Sequence, residues 1–402
     1  MIDPKIIFPY SINYPRDNIR KISHHTKFGY YDNFNNHKLD LSLGSAGCFL
    51  IGFDRKDIIQ NVVEKMNVLP FTSGEYMTTN DDVITLTEKL YKLSNGYRSI
   101  FSLSGSDAIE GAIKVAAMYH LSCGNTKRAI IGFENSYHGS TYLAASVSGA
   151  DYITSKFGRQ SDCYLTSYNI EDIKLKIEKI GSDNILAMIA ETCSWQEGLH
   201  DRGIEYWKQV RQICKDNDIV FILDDIAMCG GKTGSFFGFD LQLEPDIFCL
   251  GKGLTGGFFP LAATLVSDRI FQTIKKDFLL HGFTYSFSMS GIYSTLSYIN
   301  VLEKENILEN VPSVIKKTKE YMDKLILDGL LISHRNYGTF FCLEPTYHKE
   351  NYENIFYECG LNLGITNEGK DDLLIVIPLN PDVEYFNTLT DRLRLALDPK
   401  IR

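Results

Sequence analysis

Short apolar runs, each followed by a polar residue, recur through the middle of this 402-residue chain and restrict its fold more than any other feature. Ala129-Ile130-Ile131-Gly132-Phe133, Ile185-Leu186-Ala187-Met188-Ile189-Ala190 and Ile219-Val220-Phe221-Ile222-Leu223 read as strands, and amphipathic helical stretches separate them. That alternation predicts an α/β fold with a mostly parallel sheet and helices on both faces. In such open sheets ligands gather at the carboxyl ends of the strands, so the residues after the runs are the first candidates for chemistry. From about Tyr293 the pattern turns to long helices, such as 313–327, and then to short strands around 338–343 and 373–378. The expected division is an N-terminal segment 1–45 joining a smaller α+β domain at 293–402, with a large domain at 46–292 between them.

Composition removes several classes of function. A net charge of -9 with interspersed signs offers no basic stripe for nucleic acid. Nine cysteines without a C-x-x-C pair make a poor disulfide framework and fit a reducing compartment. The scattered histidines, His24-His25 included, lack metal-ligand spacing. Met1-Ile2-Asp3-Pro4-Lys5 is followed by no apolar stretch of signal length, and no apolar run approaches a membrane span. The expectation is a cytoplasmic protein with no nucleic-acid, membrane or metal partner.

The fourth apolar run, Asp246-Ile247-Phe248-Cys249-Leu250, delivers one lysine, Lys252, between Gly251 and Gly253. A charged ammonium after a buried run is costly, whereas the neutral amine is a nucleophile able to form a Schiff base. Glycines on either side let backbone and a flat ligand approach. A structural or phosphate-pairing lysine would look the same in isolation. Ser104-Gly105-Ser106-Asp107 opens a helix whose free N–H groups suit a phosphate, and is equally an ordinary capped helix start. Asp224, after the third run, either pairs with a ring nitrogen or caps a turn. Tyr137-His138-Gly139 supplies an aromatic to stack on a flat cofactor or to fill the core. Thr284, in His281-Gly282-Phe283-Thr284, is a phosphate ligand or a turn residue.

In chain order, Ser104-Gly105-Ser106, Tyr137-His138-Gly139, Glu191, Asp224, Lys252 and Thr284, the chain resembles the class III aminotransferases, enzymes of the type I pyridoxal-phosphate fold. Asp224-Asp225-Ile226-Ala227-Met228-Cys229-Gly230-Gly231-Lys232-Thr233-Gly234 is similar to the family's D-E-[IV]-x-T-G-F-G-R-T-G, and Pro245-Asp246-Ile247 leads to Gly251-Lys252 as the family's P-D-I leads to its lysine. The likeness runs from near Pro9-Tyr10 to the last helix. It is nearest to diaminopelargonate (adenosylmethionine-8-amino-7-oxononanoate) aminotransferase of biotin synthesis at Phe8-Pro9-Tyr10-Ser11, Ser104-Gly105-Ser106, Cys249 to Gly257 and His281-Gly282.

The resemblance implies a seven-stranded, mostly parallel sheet, a pyridoxal 5'-phosphate cofactor and a ping-pong exchange between an amine donor and a ketone or aldehyde acceptor. Lys252 would hold the cofactor covalently and shuttle a proton. Asp224 would pair with the ring nitrogen, Tyr137 would stack on the ring, and Gly105 and Ser106 would bind the phosphate. His138, Glu191 and Ile226 complete the cofactor set, Tyr10 faces substrate, and Thr284 reaches the phosphate of a neighbouring subunit, which implies a homodimer with shared sites. The departures are informative. Ala46-Gly47 stands where the biotin enzyme has two tryptophans, Ser140 replaces an acid, Lys232 replaces an arginine, and Phe287-Ser288-Met289 replaces glycine-asparagine-proline. No arginine stands at 364–366, where the biotin enzyme has its carboxylate clamp. The expected acceptor therefore lacks a carboxylate beside the reacting carbon and belongs to a specialised pathway, such as a natural product, sugar, nucleoside or daptide-like peptide carbonyl. The alternatives are biotin synthesis itself, or an aminomutase or epimerase on the same fold.

Overall fold

The computed structural model describes residues 9, 19–74, 77–363, 365, 366 and 372–401. The N-terminal part contributes three antiparallel strands, β1 (Ile22–His25), β2 (Gly29–Asp32) and β3 (His37–Asp40). The central sheet follows, made of β4 (Arg98–Ser102), β5 (Ala129–Phe133), β6 (Cys163–Thr166), β7 (Ile185–Glu191), β8 (Val220–Asp224), β9 (Ile247–Leu250) and β10 (Ala262–Val266). Its spatial order is β4-β10-β9-β8-β7-β5-β6, and β10 alone runs against its neighbours. The apolar runs are strands because both faces of the sheet are covered. Phe221, Leu223, Phe248 and Leu250 enter one core, while Val220, Ile222, Ile247 and Cys249 enter the other, and none of the eight is exposed. Full burial of such side chains contributes roughly 1.5–3 kcal/mol each.

Helix Gly105–Ser122 covers the second face, with Ile109, Ala112, Ile113 and Ala116 buried against it. Its N-terminus lies beside the carboxyl ends of the parallel strands. Ser104 caps it by accepting the Asp107 N–H at 3.3 Å.

Beyond the sheet, helix Met289–Lys304 runs through residues 292 and 293 without interruption and packs on helices Lys56–Val68 and Asp81–Leu93. The next helix, Ile307–Leu327, begins six residues before the expected 313. A proline at 312 reads as a helix breaker from sequence. Here the helix carries Pro312 inside it, with the ring set against Gly234. Strands β11 (Leu331–Tyr337), β12 (Phe340–Pro345), β14 (Ile365–Thr366) and β15 (Leu373–Val376) form an antiparallel sheet ordered β11-β12-β15-β14. The short β13 (Leu361–Asn362) instead pairs in parallel with β3, joining the two ends of the chain. Among the described residues no helix is long and apolar enough to cross a membrane, and all nine cysteines are free.

The amino-terminal side of the sheet is tied by Asp246, which is 1% exposed. Its carboxylate accepts the Phe221 N–H at 2.9 Å, Arg211 at 2.9 Å and Arg269 at 2.7 Å. Replacing it strands a backbone donor and two guanidiniums. Asp246→Ala is expected to cost about 3 kcal/mol, read as a lower urea midpoint, and an unchanged midpoint would contradict this account of the sheet.

Candidate active site

Register brings the site together. Glu191 pairs with Asp224 across β7 and β8, and Asp224 pairs with Cys249 across β8 and β9, so β7 and β8 end level with each other and one residue short of the end of β9. The chain leaving β9 at Leu250 reaches Lys252 two residues later. That lysine has a left-handed backbone at φ +43, a conformation costing on the order of 1–2 kcal/mol for a residue with a side chain. It persists because neighbours fix the turn. The Cys229 thiol donates to the Gly251 carbonyl at 3.2 Å, and Gly230 lies so close to Gly253 that a Cβ would sit 2.6 Å from its carbonyl oxygen.

One cavity of about 190 Å³ is lined by Gly105, Ser106, Tyr137, His138, Glu191, Asp224, Ile226 and Lys252 together. Asp224 accepts the Ile226 N–H at 3.0 Å, and its other oxygen accepts the Nδ1–H of His138 at 2.9 Å. The imidazole is buried, its backbone N–H is held by Ser148 at 2.8 Å, and its Nε2 has no partner among the described residues. Ser106 Oγ accepts the Ser140 N–H at 3.0 Å. Gly139 between them has φ +138, and a Cβ there would fall 2.4 Å from the Ser106 hydroxyl. A Cβ on Gly105 would come within 3.0 Å of Ile226. These two glycines keep backbone and hydroxyl donors open beside the helix start, where an anion is favoured.

Burial dominates the acid chemistry. Glu191 is 3% exposed, accepts the Tyr137 N–H at 3.0 Å, and is pushed by desolvation from the ordinary 4.5 up to about 7. Asp225 turns away from the cavity, accepting Thr192 Oγ–H at 2.7 Å and the Gly238 N–H at 2.9 Å, and burial pushes it to about 7 as well. Lys232 is fully buried, its amine donates to the Cys229 carbonyl at 3.1 Å, and burial lowers it to about 8. It lies against Gly47, where a Cβ would meet its Cε at 2.7 Å. Gly47 closes a strained turn, Leu43–Gly47, in which Leu43 and Ser45 have φ +46 and +81. Asp40 holds that turn by accepting the N–H groups of Ser42 and Gly44 at 2.9 and 3.0 Å. The turn packs on the one carrying Lys252.

The remaining candidates are placed differently. Thr284 is exposed and does not line its own chain's cavity. Tyr10 and Gly364 lie outside the described residues, and of 365 and 366 only the backbone is described. Three lining residues, Gly139, Ala227 and Trp195, were not singled out as site residues from sequence. Trp195 follows the end of β7 by four residues, so the rule that ligands collect at strand ends could have found it.

The lining suits pyridoxal phosphate on its own chemistry. It combines an amine for the aldehyde, a carboxylate for the ring nitrogen, an aromatic for the ring face, and helix-start amides with a hydroxyl for the phosphate. Glu191 gives a direct test of the burial. The folded chain keeps its extra proton between the unfolded value of 4.5 and about 7, so this stabilisation is complete below 4.5 and lost as pH rises through 7. Glu191→Gln cannot ionise. In thermal melts of the cofactor-free protein, the variant should gain on the parent by about 2–3 kcal/mol between pH 5 and pH 8. An unchanged difference would contradict the burial argument.

The family model "Aminotransferase class-III" matches residues 19–397. An adenosylmethionine-8-amino-7-oxononanoate aminotransferase of Methanocaldococcus jannaschii is 31% identical over 333 residues, covering 73% of this chain and 72% of that protein. A putrescine–pyruvate aminotransferase of Pseudomonas aeruginosa is 27% identical over 405 residues, covering 92% and 88%. Among solved structures, a transaminase from the marine bacterium Virgibacillus superposes with a TM-score of 0.91 at 22% identity over 98% of this chain and 96% of that one, a likeness of fold. The chain therefore belongs to the class III aminotransferases and is a pyridoxal-phosphate-dependent enzyme of fold type I.

Proposed function

We propose that this chain moves an amino group from a donor amine to a ketone or aldehyde by ping-pong exchange, and that the acceptor has no carboxylate beside its reacting carbon. The observation that carries the reading is the single cavity shared by the Lys252 amine and the Asp224 carboxylate. Pyridoxal phosphate, when bound, supplies the electron sink for breaking the substrate's C–H bond. Lys252 Nζ is the group to anchor it and, once displaced by the donor amine, to carry the substrate proton. Asp224 is oriented by His138 and the Ile226 amide to hold a protonated ring nitrogen. Gly105 and Ser106 receive the phosphate, Tyr137 covers the ring, and Glu191 stands beside the reacting centre as a carboxyl poised near neutrality.

The substrate preference rests on what the chain lacks. With no arginine at 364–366, a carboxylate next to the reacting carbon loses its bidentate partner, worth a few kcal/mol. The relatives' names, a keto-acid precursor in one and a diamine with pyruvate in another, are consistent with a family that varies its substrates. A specialised biosynthetic carbonyl fits better than the biotin precursor. Thr284, exposed and outside its own cavity, is read as a phosphate ligand in the site of a second copy, which makes the working unit a homodimer.

Mixing the protein with pyridoxal phosphate should give a visible absorption band that borohydride reduction removes and peptide mapping assigns to Lys252. Lys252→Ala should lose the band and slow transfer by about 10²–10⁴-fold or more. Rapid turnover of pyruvate as acceptor, whose carboxylate adjoins the reacting carbon, would contradict the no-carboxylate reading, and rapid turnover of the 7-keto biotin precursor with S-adenosylmethionine would contradict the preference for another pathway. Co-expressed Lys252→Ala and Thr284→Ala subunits should regain activity, because each mixed dimer then holds one intact site; no recovery would place Thr284 outside the partner's site.

A further inference from the structure

We propose that Trp195 is a specificity-determining residue of the Lys252 site, whose indole receives an uncharged aryl or alkyl group of the substrate. The inference rests on the amine-transfer reading above and names the kind of substrate it serves.

Trp195 lines the same cavity as Lys252, Asp224 and Tyr137. It is half-buried, its ring 5.9 Å from that of Tyr137 at an interplanar angle of 60°. Tryptophans buried to this degree usually satisfy the indole N–H. Here that N–H donates to no described residue, which leaves one neutral donor on a side chain that lines the site. The backbone beneath it is fixed. Gly198 N–H donates to the Trp195 carbonyl at 3.1 Å, Leu199 N–H to Ser194 at 3.0 Å, and the neighbouring Gln196 amide reaches the Tyr152 hydroxyl at 3.2 Å. An aromatic held in place costs little further entropy when it binds.

The charges around this turn point the same way. Glu197 is paired with Arg202, whose guanidinium lies over the Tyr168 ring at 3.8 Å. Arg335 is paired with Asp372 and also donates to the Gly198 carbonyl at 2.7 Å. A substrate carboxylate could recruit either arginine only by displacing an internal carboxylate, and a second ammonium would meet acids that already have partners. What the turn offers freely is an apolar ring face and one N–H. That selects an aryl or alkyl side group, with room for one neutral oxygen to accept the N–H.

The chain has two tryptophans, and Trp207 is buried away from the cavity against Phe133 and Tyr206. In a Trp207→Phe background, emission therefore reports Trp195 alone. Loading with pyridoxal phosphate should quench it, and acetophenone should then change it saturably. In the donor half-reaction, followed by the cofactor's absorption, Trp195→Ala should lower the preference for 1-phenylethylamine over alanine by about tenfold, with most of the loss in KM, and Trp195→Phe should restore most of it. An enzyme that forms the Lys252 link and consumes both amines, but whose preference is unmoved by Trp195→Ala or whose emission ignores acetophenone, overturns this inference and leaves the proposed function standing. Failure to form the link overturns both.

Discussion

The parallel register of β7, β8 and β9 is the constraint on which the site depends. Strands in a sheet lie about 4.7–4.9 Å apart, so residues that lie level on adjacent strands are immediate neighbours. Glu191, Asp224 and Cys249 form such a row, and the left-handed turn after Cys249 returns Lys252 to it. A slip of one residue would exchange the two faces of a strand. It would drive Phe221 and Phe248 out of one core and Ile222 and Ile247 out of the other, so burial on both faces enforces the register that the chemistry requires.

Placing ionisable groups at the edge of two dry cores has a cost, and the structure meets it locally. Asp224 is shared between an imidazole and a backbone amide, Asp225 between a hydroxyl and an amide, and Glu191 accepts the Tyr137 amide. Burial is what raises Glu191 and Asp225 toward neutrality. Lys232 is the converse case, a buried amine with a carbonyl for a partner and a glycine backbone against its stem. Three of the non-glycine residues with left-handed backbone, Leu43, Ser45 and Lys252, sit in the two turns that pack together here, which agrees with the tendency of unfavourable backbone to persist at ligand-binding turns.

Much of this was legible from residues alone. The apolar runs identify β5, β7 and β8 to within one residue, because strands covered on both sides need no alternation, and that shift of one is what makes Asp224 the last residue of its strand. The motifs that converge on the cavity were separable in sequence because each sits at a strand end or a helix start. Other features needed three dimensions. Nothing in Gly230-Gly231-Lys232 says that the lysine is fully buried, since that follows from the approach of Gly47, nearly two hundred residues away. The reversed direction of β10, the β3–β13 pairing and the passage of a helix through Pro312 are likewise set by tertiary packing rather than local preference.

The most direct examination of the central claim is a crystal structure of the protein grown with pyridoxal phosphate. The account predicts continuous density from Lys252 Nζ to the cofactor, an Asp224 oxygen within hydrogen-bond distance of the ring nitrogen, and the phosphate on the amides of Gly105 and Ser106. Density for the cofactor elsewhere, or a ring turned so that Asp224 faces no nitrogen, would contradict it.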